Sequence, residues 1–349
     1  MNPPLVPEPA RILIIKPSSL GDVITGIPVL RGLRRTFPQA HISWLVNPPL
    51  AGVLAGQAGL DEIITFDRHR FGHLWRSGIV AGQFASFCRH LRRERFDWVI
   101  DLQGLFRSGF LARVSGAAIR AGFADAREMA WIFYTHAIRT PQAHVVDRNI
   151  ALARQLGIDV RDEDFALTAT DDARKFVASV VAENGLKQGA YIVIAPGTRW
   201  ANKLYPNRHW REVLAALGPQ TPAVLVGSKE ELSLCKQLAG PDQPEVINLA
   251  GRTSLPQLVA VIASAGAVIC CDSAANLIAP AVGTPFVTLT GPTRPDRTGP
   301  YGPLGVALAA DIPCIGCLKR RCEHATCMQL IDPQRVAAAA LEAMNRKRR

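Results

Sequence analysis

The chain has 349 residues, 48% of them apolar and 20% charged, with a formal net charge of +11. Such a length exceeds the usual reach of one hydrophobic core, so two domains are expected. No apolar run approaches the ~18 residues of a membrane-spanning helix, and the opening Met-Asn-Pro-Pro-Leu-Val-Pro-Glu-Pro lacks the basic start and apolar segment of a signal peptide, so a cytoplasmic chain is expected.

The first element in order is Arg11-Ile-Leu-Ile-Ile-Lys16, whose β-branched core predicts a strand buried on both faces of a parallel sheet. A polar loop follows, Pro-Ser18-Ser19-Leu-Gly21-Asp22, and then apolar residues Val23, Ile27, Leu30, Leu33 and Phe37 at helical spacing. Ligands of doubly wound sheets bind beyond the carboxyl ends of strands. By position alone, Asp22 is either a ligand contact there or a helix cap. Further strands are predicted at His41–Val46, Asp61–Phe66, Phe96–Leu102 and Ile119–Phe123, with helices at Pro48–Gly56, Leu105–Val114 and Val145–Leu156 and a partly basic segment at Phe71–Arg95. The carboxylate-rich stretch Asp159–Asp172 marks the domain boundary.

A second strand and helix alternation then begins, with strands at Tyr191–Ala195, Ala223–Val226, Val246–Leu249, Ala267–Cys270 and Phe286–Leu289, and helices near Asn207, Lys229, Ser254 and Ser273. The fold class is therefore α/β, with two Rossmann-like parallel-sheet domains expected to face a central cleft. Their expected bounds are 1–165 and 166–332, with a last helix over 333–349 packing back on the first domain.

Four loops of the second half can carry chemistry. In Ala195-Pro-Gly197-Thr198-Arg-Trp-Ala-Asn-Lys203, Gly197, Thr198 and Lys203 offer an amide, a hydroxyl and a charge to a phosphate, or form an ordinary glycine turn. Glu230 and Glu231 follow a strand and Gly227, where a helix dipole or ribose hydroxyls would favour a carboxylate. Asp272 and Ser273 precede a helix that either can cap. The fourth loop, Gly291-Pro-Thr293-Arg-Pro-Asp-Arg, carries two arginines that suit closure over an anion.

No Gly-x-Gly-x-x-Gly follows a strand, and neither a Walker lysine loop nor a Gly-x-Ser-x-Gly elbow is present. A dinucleotide oxidoreductase, an NTPase and a serine hydrolase are thus unsupported. Cys314, Cys317, Cys322 and Cys327 form C-x2-C-x4-C-x4-C with His324 inside it. The first pair has zinc spacing, but the gap to the second is shorter than in zinc ribbons. A metal is not expected there; a redox-sensitive loop and compact apolar packing are the other readings. Basic clusters at Arg89, Arg92, Arg93 and Arg95 and at the carboxyl terminus suit an anionic partner. With no nucleic-acid motif and only 7% aromatic residues, an acidic membrane surface fits at least as well as nucleic acid.

Together Lys16-Pro-Ser-Ser-Leu-Gly-Asp22, the run from Pro28, Phe96-Asp-Trp-Val-Ile-Asp-Leu-Gln-Gly104, His144-Val-Val-Asp147, Pro196-Gly197 with Lys203, Asp272-Ser273 and Gly291-Pro-Thr293 resemble the heptosyltransferases of the lipopolysaccharide inner core. These are inverting glycosyltransferases of the GT-B architecture, and the resemblance spans nearly the whole chain. It implies ADP-L-glycero-D-manno-heptose as donor, a Kdo-containing lipid A precursor as acceptor at the inner face of the inner membrane, no cofactor and no metal, and a monomer. Carried over, Asp22 is the general base, and Lys203 and Thr198 steady the leaving diphosphate with the amides after Asp272. Gly197, Glu231, Glu230, Asp272, Ser273, Ala274 and Thr293 fall on the donor side. Ser18, Ser19, Gly21, Gln103 and Arg107 fall on the acceptor side. Two positions depart from the family pattern Asp-Ser/Thr-Gly-x-x-His: Ala274 stands for the glycine and Leu277 for the histidine. That departure motivates another nucleotide-sugar donor, or a catalytically silent glycan-binding protein, as the alternative.

Overall fold

A computed structural model describes residues 8–72, 77–240 and 245–348. Residues 73–76 of the basic segment expected at Phe71–Arg95, and Arg349 of the expected last helix, lie outside the described residues. The chain divides into two units, Met1–Phe165 and Ala166–Arg349.

The first unit runs β1 (Arg11–Ile15), α1 (Leu20–Thr25), α2 (Ile27–Thr36), β2 (His41–Val46), β3 (Glu62–Thr65), α3 (Gly78–Arg93), β4 (Trp98–Asp101), α4 (Phe106–Ser115), β5 (Ile119–Phe123), β6 (His136–Ile138) and α5 (Val145–Gln155). Its six strands are parallel, in the order β3-β2-β1-β4-β5-β6. Ile12 to Ile15 are wholly buried, as a strand covered on both faces requires. The single helix expected after the first loop is two, α1 and α2, meeting at Gly26. A Cβ at Gly26 would come 2.8 Å from the buried Trp44 ring, so only glycine lets the chain turn there against β2. Pro48–Leu54 is a 3-10 helix, and β6 is an edge strand of three residues that sequence reading missed.

The second unit runs α6 (Asp171–Glu183), β7 (Ile192–Ala195), α7 (Asn207–Leu217), β8 (Ala223–Leu225), α8 (Leu232–Leu238), β9 (Val246–Asn248), α9 (Leu255–Ala263), β10 (Ala267–Cys271), α10 (Ala275–Ala281), β11 (Phe286–Leu289), α11 (Pro295–Thr298), β12 (Gly305–Leu308), α12 (Thr326–Gln329) and α13 (Pro333–Arg348). Its parallel sheet is ordered β12-β11-β10-β7-β8-β9. Numbered from each unit's own first strand, both sheets have the 3-2-1-4-5-6 order of the doubly wound fold. α6 was unforeseen because its acidic opening reads as a linker. Thr170 Oγ1 accepts the Ala173 N–H at 3.3 Å, and Asp171 and Asp172 sit at the positive end of the helix, so these residues start it.

The last helix was expected to pack on the first half. Within its own unit it packs against α7, β10 and β11, where Val336, Ala340 and Ala343 are wholly buried. Lys347, part of the basic terminal cluster, donates to the carbonyls of Ala263 at 3.0 Å and Ala265 at 2.8 Å at the carboxyl end of α9, so its ammonium is engaged internally.

Replacing Gly26 by Ala is expected to lower stability by about 1–3 kcal/mol, the usual cost of forcing an extra carbon into a packed site. Thermal unfolding measures it, and an unchanged midpoint would show that the Trp44 contact yields without cost.

Candidate functional site

A doubly wound sheet reverses its strand order once, and the loops leaving the two central strands diverge there to form a crevice. In the first unit those strands are β1 and β4. Lys16, just past β1, is buried and donates through Nζ to the carbonyl of Leu102, just past β4. Burial lowers its pKa below the usual lysine value, against nearby Asp22 and Asp101, which favour its charge. The same two loops meet again where the Ser18 N–H donates to Gln103 Oε1 at 3.3 Å. Arg68 donates to Ser18 Oγ at 3.1 Å, and Arg107 donates to the Arg68 carbonyl at 3.4 Å. Four of the expected acceptor residues thus gather with Asp22: Ser18, Ser19, Gln103 and Arg107, joined by Arg68. Gly21 lies one residue before Asp22 in the first turn of α1.

Asp22 is half-buried, and its Oδ2 accepts both the N–H and the hydroxyl of Ser19, each at 2.8 Å. This is a helix-start arrangement. Both bonds fall on one oxygen, so the capping role and a role for Oδ1 are compatible.

Beneath the Gln103-Gly104 turn lies Asp101, fully buried. Its Oδ1 accepts the N–H groups of Gln103 at 2.8 Å and Gly104 at 3.1 Å, and its Oδ2 accepts the Tyr134 hydroxyl at 2.6 Å. Burial raises this carboxyl above the usual range, and those donors pull it back. Asp101 stood in a recognised run, but its work as a turn anchor depends on Tyr134, which lies 33 residues further on.

In the second unit the central strands are β7 and β10, and the same logic holds. Lys203 from the loop after β7 pairs with Asp272 after β10 at 2.9 Å, both side chains only 13% exposed. Thr198 Oγ1 donates to the Asp272 carbonyl at 3.3 Å. The Lys203 ammonium lies 4.3 Å from the centre of the Trp200 ring, which Arg320 also approaches at 5.3 Å. Sequence reading left Trp200 unassigned, because nothing local shows which cation it meets.

Asp272 and Ser273 were expected to cap α10. The residue at the cap is instead Ala274, and no side chain bonds the helix start. The Asp272 carboxylate is drawn away by the ammonium of Lys203. Ser273 is half-buried beside them. Asn276, also unforeseen, donates to the Thr298 carbonyl and accepts from the Thr288 hydroxyl, both at 2.9 Å, tying α10 to β11 and α11. Leu277, where the family pattern has histidine, is buried.

Glu231 explains two of the glycines. A Cβ on Gly197 would lie 1.9 Å from its Oε1, and one on Gly227 would lie 2.9 Å from its Oε2, so the side chain occupies the space between the two loops. Its Oε2 accepts the Ser228 N–H at 2.7 Å. Glu230 is exposed, with the Ser228 hydroxyl holding its carboxyl below the usual range. On the next loop Thr293 is buried, and among the described residues its Oγ1 and that of Thr290 are buried without a hydrogen-bond partner.

The cysteine-rich loop lies against this assembly. The Gly316 and Leu318 N–H groups donate to the carbonyls of Gly291 at 2.9 Å and Pro292 at 2.7 Å, and Asn202 donates to the Lys319 carbonyl. Cys314, Cys317, Cys322, Cys327 and His324 line a cavity of about 50 Å³ with Asn202 and Pro292. Among the described residues no group of three or more His, Cys, Asp or Glu side chains is set to hold a metal ion. Burial and the three neighbouring thiols push Cys327 above the usual thiol range.

Residues 84–327 match the sequence model of Glycosyltransferase family 9 (heptosyltransferase). Lipopolysaccharide heptosyltransferase 1 of Pseudomonas aeruginosa is 32% identical, over 96% of this chain and 98% of the relative. The structure of the E. coli heptosyltransferase WaaC with ADP superposes with a TM-score of 0.77 at 26% identity, covering 95% of this chain and 99% of that one. A glycosyl transferase family 9 structure from Veillonella parvula has a TM-score of 0.81 at 23% identity, with 97% of each chain covered, and shares the fold.

Tyr134→Phe removes one donor from the buried Asp101 carboxylate. At neutral pH it should cost about 1–3 kcal/mol, the usual price of an unmet buried acceptor. The substitution raises the folded pKa of Asp101 further above its unfolded value, so the loss grows as pH rises through the carboxylate range and shrinks as acid protonates the group. Unfolding curves at pH 7.5 and pH 5 test this; a loss independent of pH would remove Asp101 from the account.

Proposed function

The chain belongs to glycosyltransferase family 9, the heptosyltransferases, and from that premise we propose that it transfers heptose from ADP-L-glycero-D-manno-heptose to a Kdo-containing lipid A acceptor, with inversion. The observation that carries the reading is the pairing of Lys203 with Asp272 across the strand reversal of the second unit. It presents one oriented cation where a doubly wound fold takes nucleotide phosphates. Thr198, the buried hydroxyl of Thr293 and the half-buried Ser273 supply further polar groups for the diphosphate, and Glu231 suits the ribose hydroxyls. The relative named lipopolysaccharide heptosyltransferase 1 supports addition of the first heptose rather than the second.

On the acceptor side Asp22 acts as general base. Its Oδ1 takes the proton of the acceptor hydroxyl while that oxygen attacks the anomeric carbon from the side opposite the departing ADP. Ser19 holds Oδ2 and so orients the carboxylate. Ser18, Gln103, Arg68 and Arg107 meet the polar and acidic groups of the acceptor. As the negative charge grows on the leaving diphosphate, Lys203 stabilises it, a role that electrostatic preorganisation makes large. Asp272 and Trp200 keep that ammonium in place. Leu277 supplies no proton or hydrogen bond where an imidazole would, so donor recognition here depends on Lys203 and the threonines. The protein works as a monomer at the inner face of the inner membrane, where its lipid-linked acceptor is presented.

ADP release from ADP-heptose, with and without a Kdo2-lipid A analogue, tests the activity. Absence of acceptor-dependent release from folded protein would favour the silent binding protein, and faster release with an already heptosylated acceptor would point to the second addition. Asp22→Asn keeps an oxygen for Ser19 and is expected to lower turnover by about a hundredfold or more while leaving donor affinity nearly intact, as loss of a general base should. Lys203→Ala should weaken ADP binding together with rate. An unchanged dissociation constant for ADP, measured by calorimetry on a variant whose unfolding midpoint is retained, would confine Lys203 to holding Asp272.

A further inference from the structure

Four of the eight large apolar side chains exposed among the described residues lie together in the first unit: Phe106 at 48%, Met129 at 60%, Trp131 at 48% and Ile132 at 48%. Phe106 opens α4, and the other three lie on or next to a 3-10 turn, Ala130–Phe133. The turn is held firmly. Ala130 is wholly buried, the Phe133 ring meets Phe106 edge-on at 5.2 Å, and a Cβ on Gly109 of α4 would come 2.8 Å from the Ala130 carbonyl. The next residue, Tyr134, is tied to Asp101 at 2.6 Å. These apolar side chains are therefore presented to solvent by a rigid support. Single exposed apolar residues are ordinary; a cluster on a braced turn is a contact surface.

The charge around the patch identifies what it contacts. Residues 104–133 contain four arginines, Arg107, Arg113, Arg120 and Arg127, against Asp125 and Glu128. Asp125 is taken up by Arg148 at 2.6 Å, and Glu128 accepts the Phe106 N–H at 3.2 Å. Arg107 donates to the Arg68 carbonyl, and Arg120 to the carbonyls of Phe133 and Ala117, so in these contacts neither charge meets a carboxylate. The Arg127 N–H donates to the Gly104 carbonyl at 3.0 Å, which puts the basic edge beside the Gln103 turn of the acceptor loops.

We propose that Phe106, Met129, Trp131 and Ile132, flanked by these arginines, form the surface by which the first unit docks on an anionic phospholipid bilayer. Tryptophan and aliphatic side chains lie at the headgroup level while arginines pair with lipid phosphates, the combination that holds a protein on a membrane without crossing it. The idea rests on the reading of a lipid-linked acceptor only for its purpose. Docking itself needs neither donor nor acceptor.

The test is flotation of the full chain with vesicles of phosphatidylcholine alone or with about 30% phosphatidylglycerol, in the absence of acceptor, beside the Trp131→Glu/Ile132→Glu double variant. The wild-type chain should float with the anionic vesicles and not with the neutral ones. The variant should lose binding by about tenfold or more, since its apolar anchors are removed and like charge is added. Because both side chains are exposed, the unfolding midpoint and transfer to a soluble, deacylated acceptor should be unchanged. Equal flotation of variant and wild type, or no flotation of the wild type, would overturn the proposal while leaving transfer activity to speak for the enzymatic reading. A dimer in solution that the double variant dissociates would overturn it too, by assigning the patch to a second copy of the chain.

Discussion

The structure depends on one topological feature met twice: each doubly wound six-stranded sheet reverses its strand order once, and the loops on either side of the reversal part there. Lys16 to Leu102 and Ser18 to Gln103 span that place in the first unit. Lys203 to Asp272 and Thr198 to the Asp272 carbonyl span it in the second. The polar groups that a parallel sheet cannot accommodate in its interior are collected at this edge, where strands end and amides and hydroxyls become free. The two units thus reach equivalent sites with unrelated side chains.

The two lysines show how environment divides one chemistry into two roles. Lys16 is buried against a backbone carbonyl, its charge disfavoured by desolvation, and it serves to lock β1's exit to β4's. Lys203, its side chain 13% exposed, sits beside a carboxylate and over an indole face, so its ammonium is held in place. A carboxylate and an aromatic face beside one ammonium limit its wandering. In the second unit the cysteine-rich loop packs against the neighbours of this pair. Its backbone pairs with the Gly291 and Pro292 carbonyls, its Lys319 carbonyl takes the Asn202 amide, and Arg320 reaches Trp200. The loop therefore has a structural task beyond lining the cavity.

Leu277 and Asn276 illustrate how a departure from a family pattern is absorbed. With no imidazole at Leu277, the helix turns an apolar side chain into the core, and the neighbouring Asn276 links α10 to β11 and α11. The start of α10 is tied to β11 and α11 by bonds that do not involve Leu277.

The alternation of apolar strands and amphipathic helices was legible from residues alone because each period is local: β1, β5 and β11 come from runs such as Arg11–Ile15, Ile119–Phe123 and Phe286–Leu289, which have nowhere to go but the interior of a sheet. Family membership was legible for a similar reason, since its motifs are short loops whose residues are consecutive. The edge strands β6 and β12, His-Ala-Ile and Gly-Val-Ala-Leu, are too mixed in composition to stand out from their surroundings, and the acidic start of α6 reads equally as a linker. What the loops do with their side chains was decided by tertiary structure. Whether Asp272 caps a helix or binds Lys203 depends on a cation that lies 69 residues away. Likewise Asp101 is kept by Tyr134, and the exposed Trp131 is made a surface by Gly109 and Phe106. A sequence records which groups are available, and only the packed fold determines which of them come within a hydrogen bond of each other.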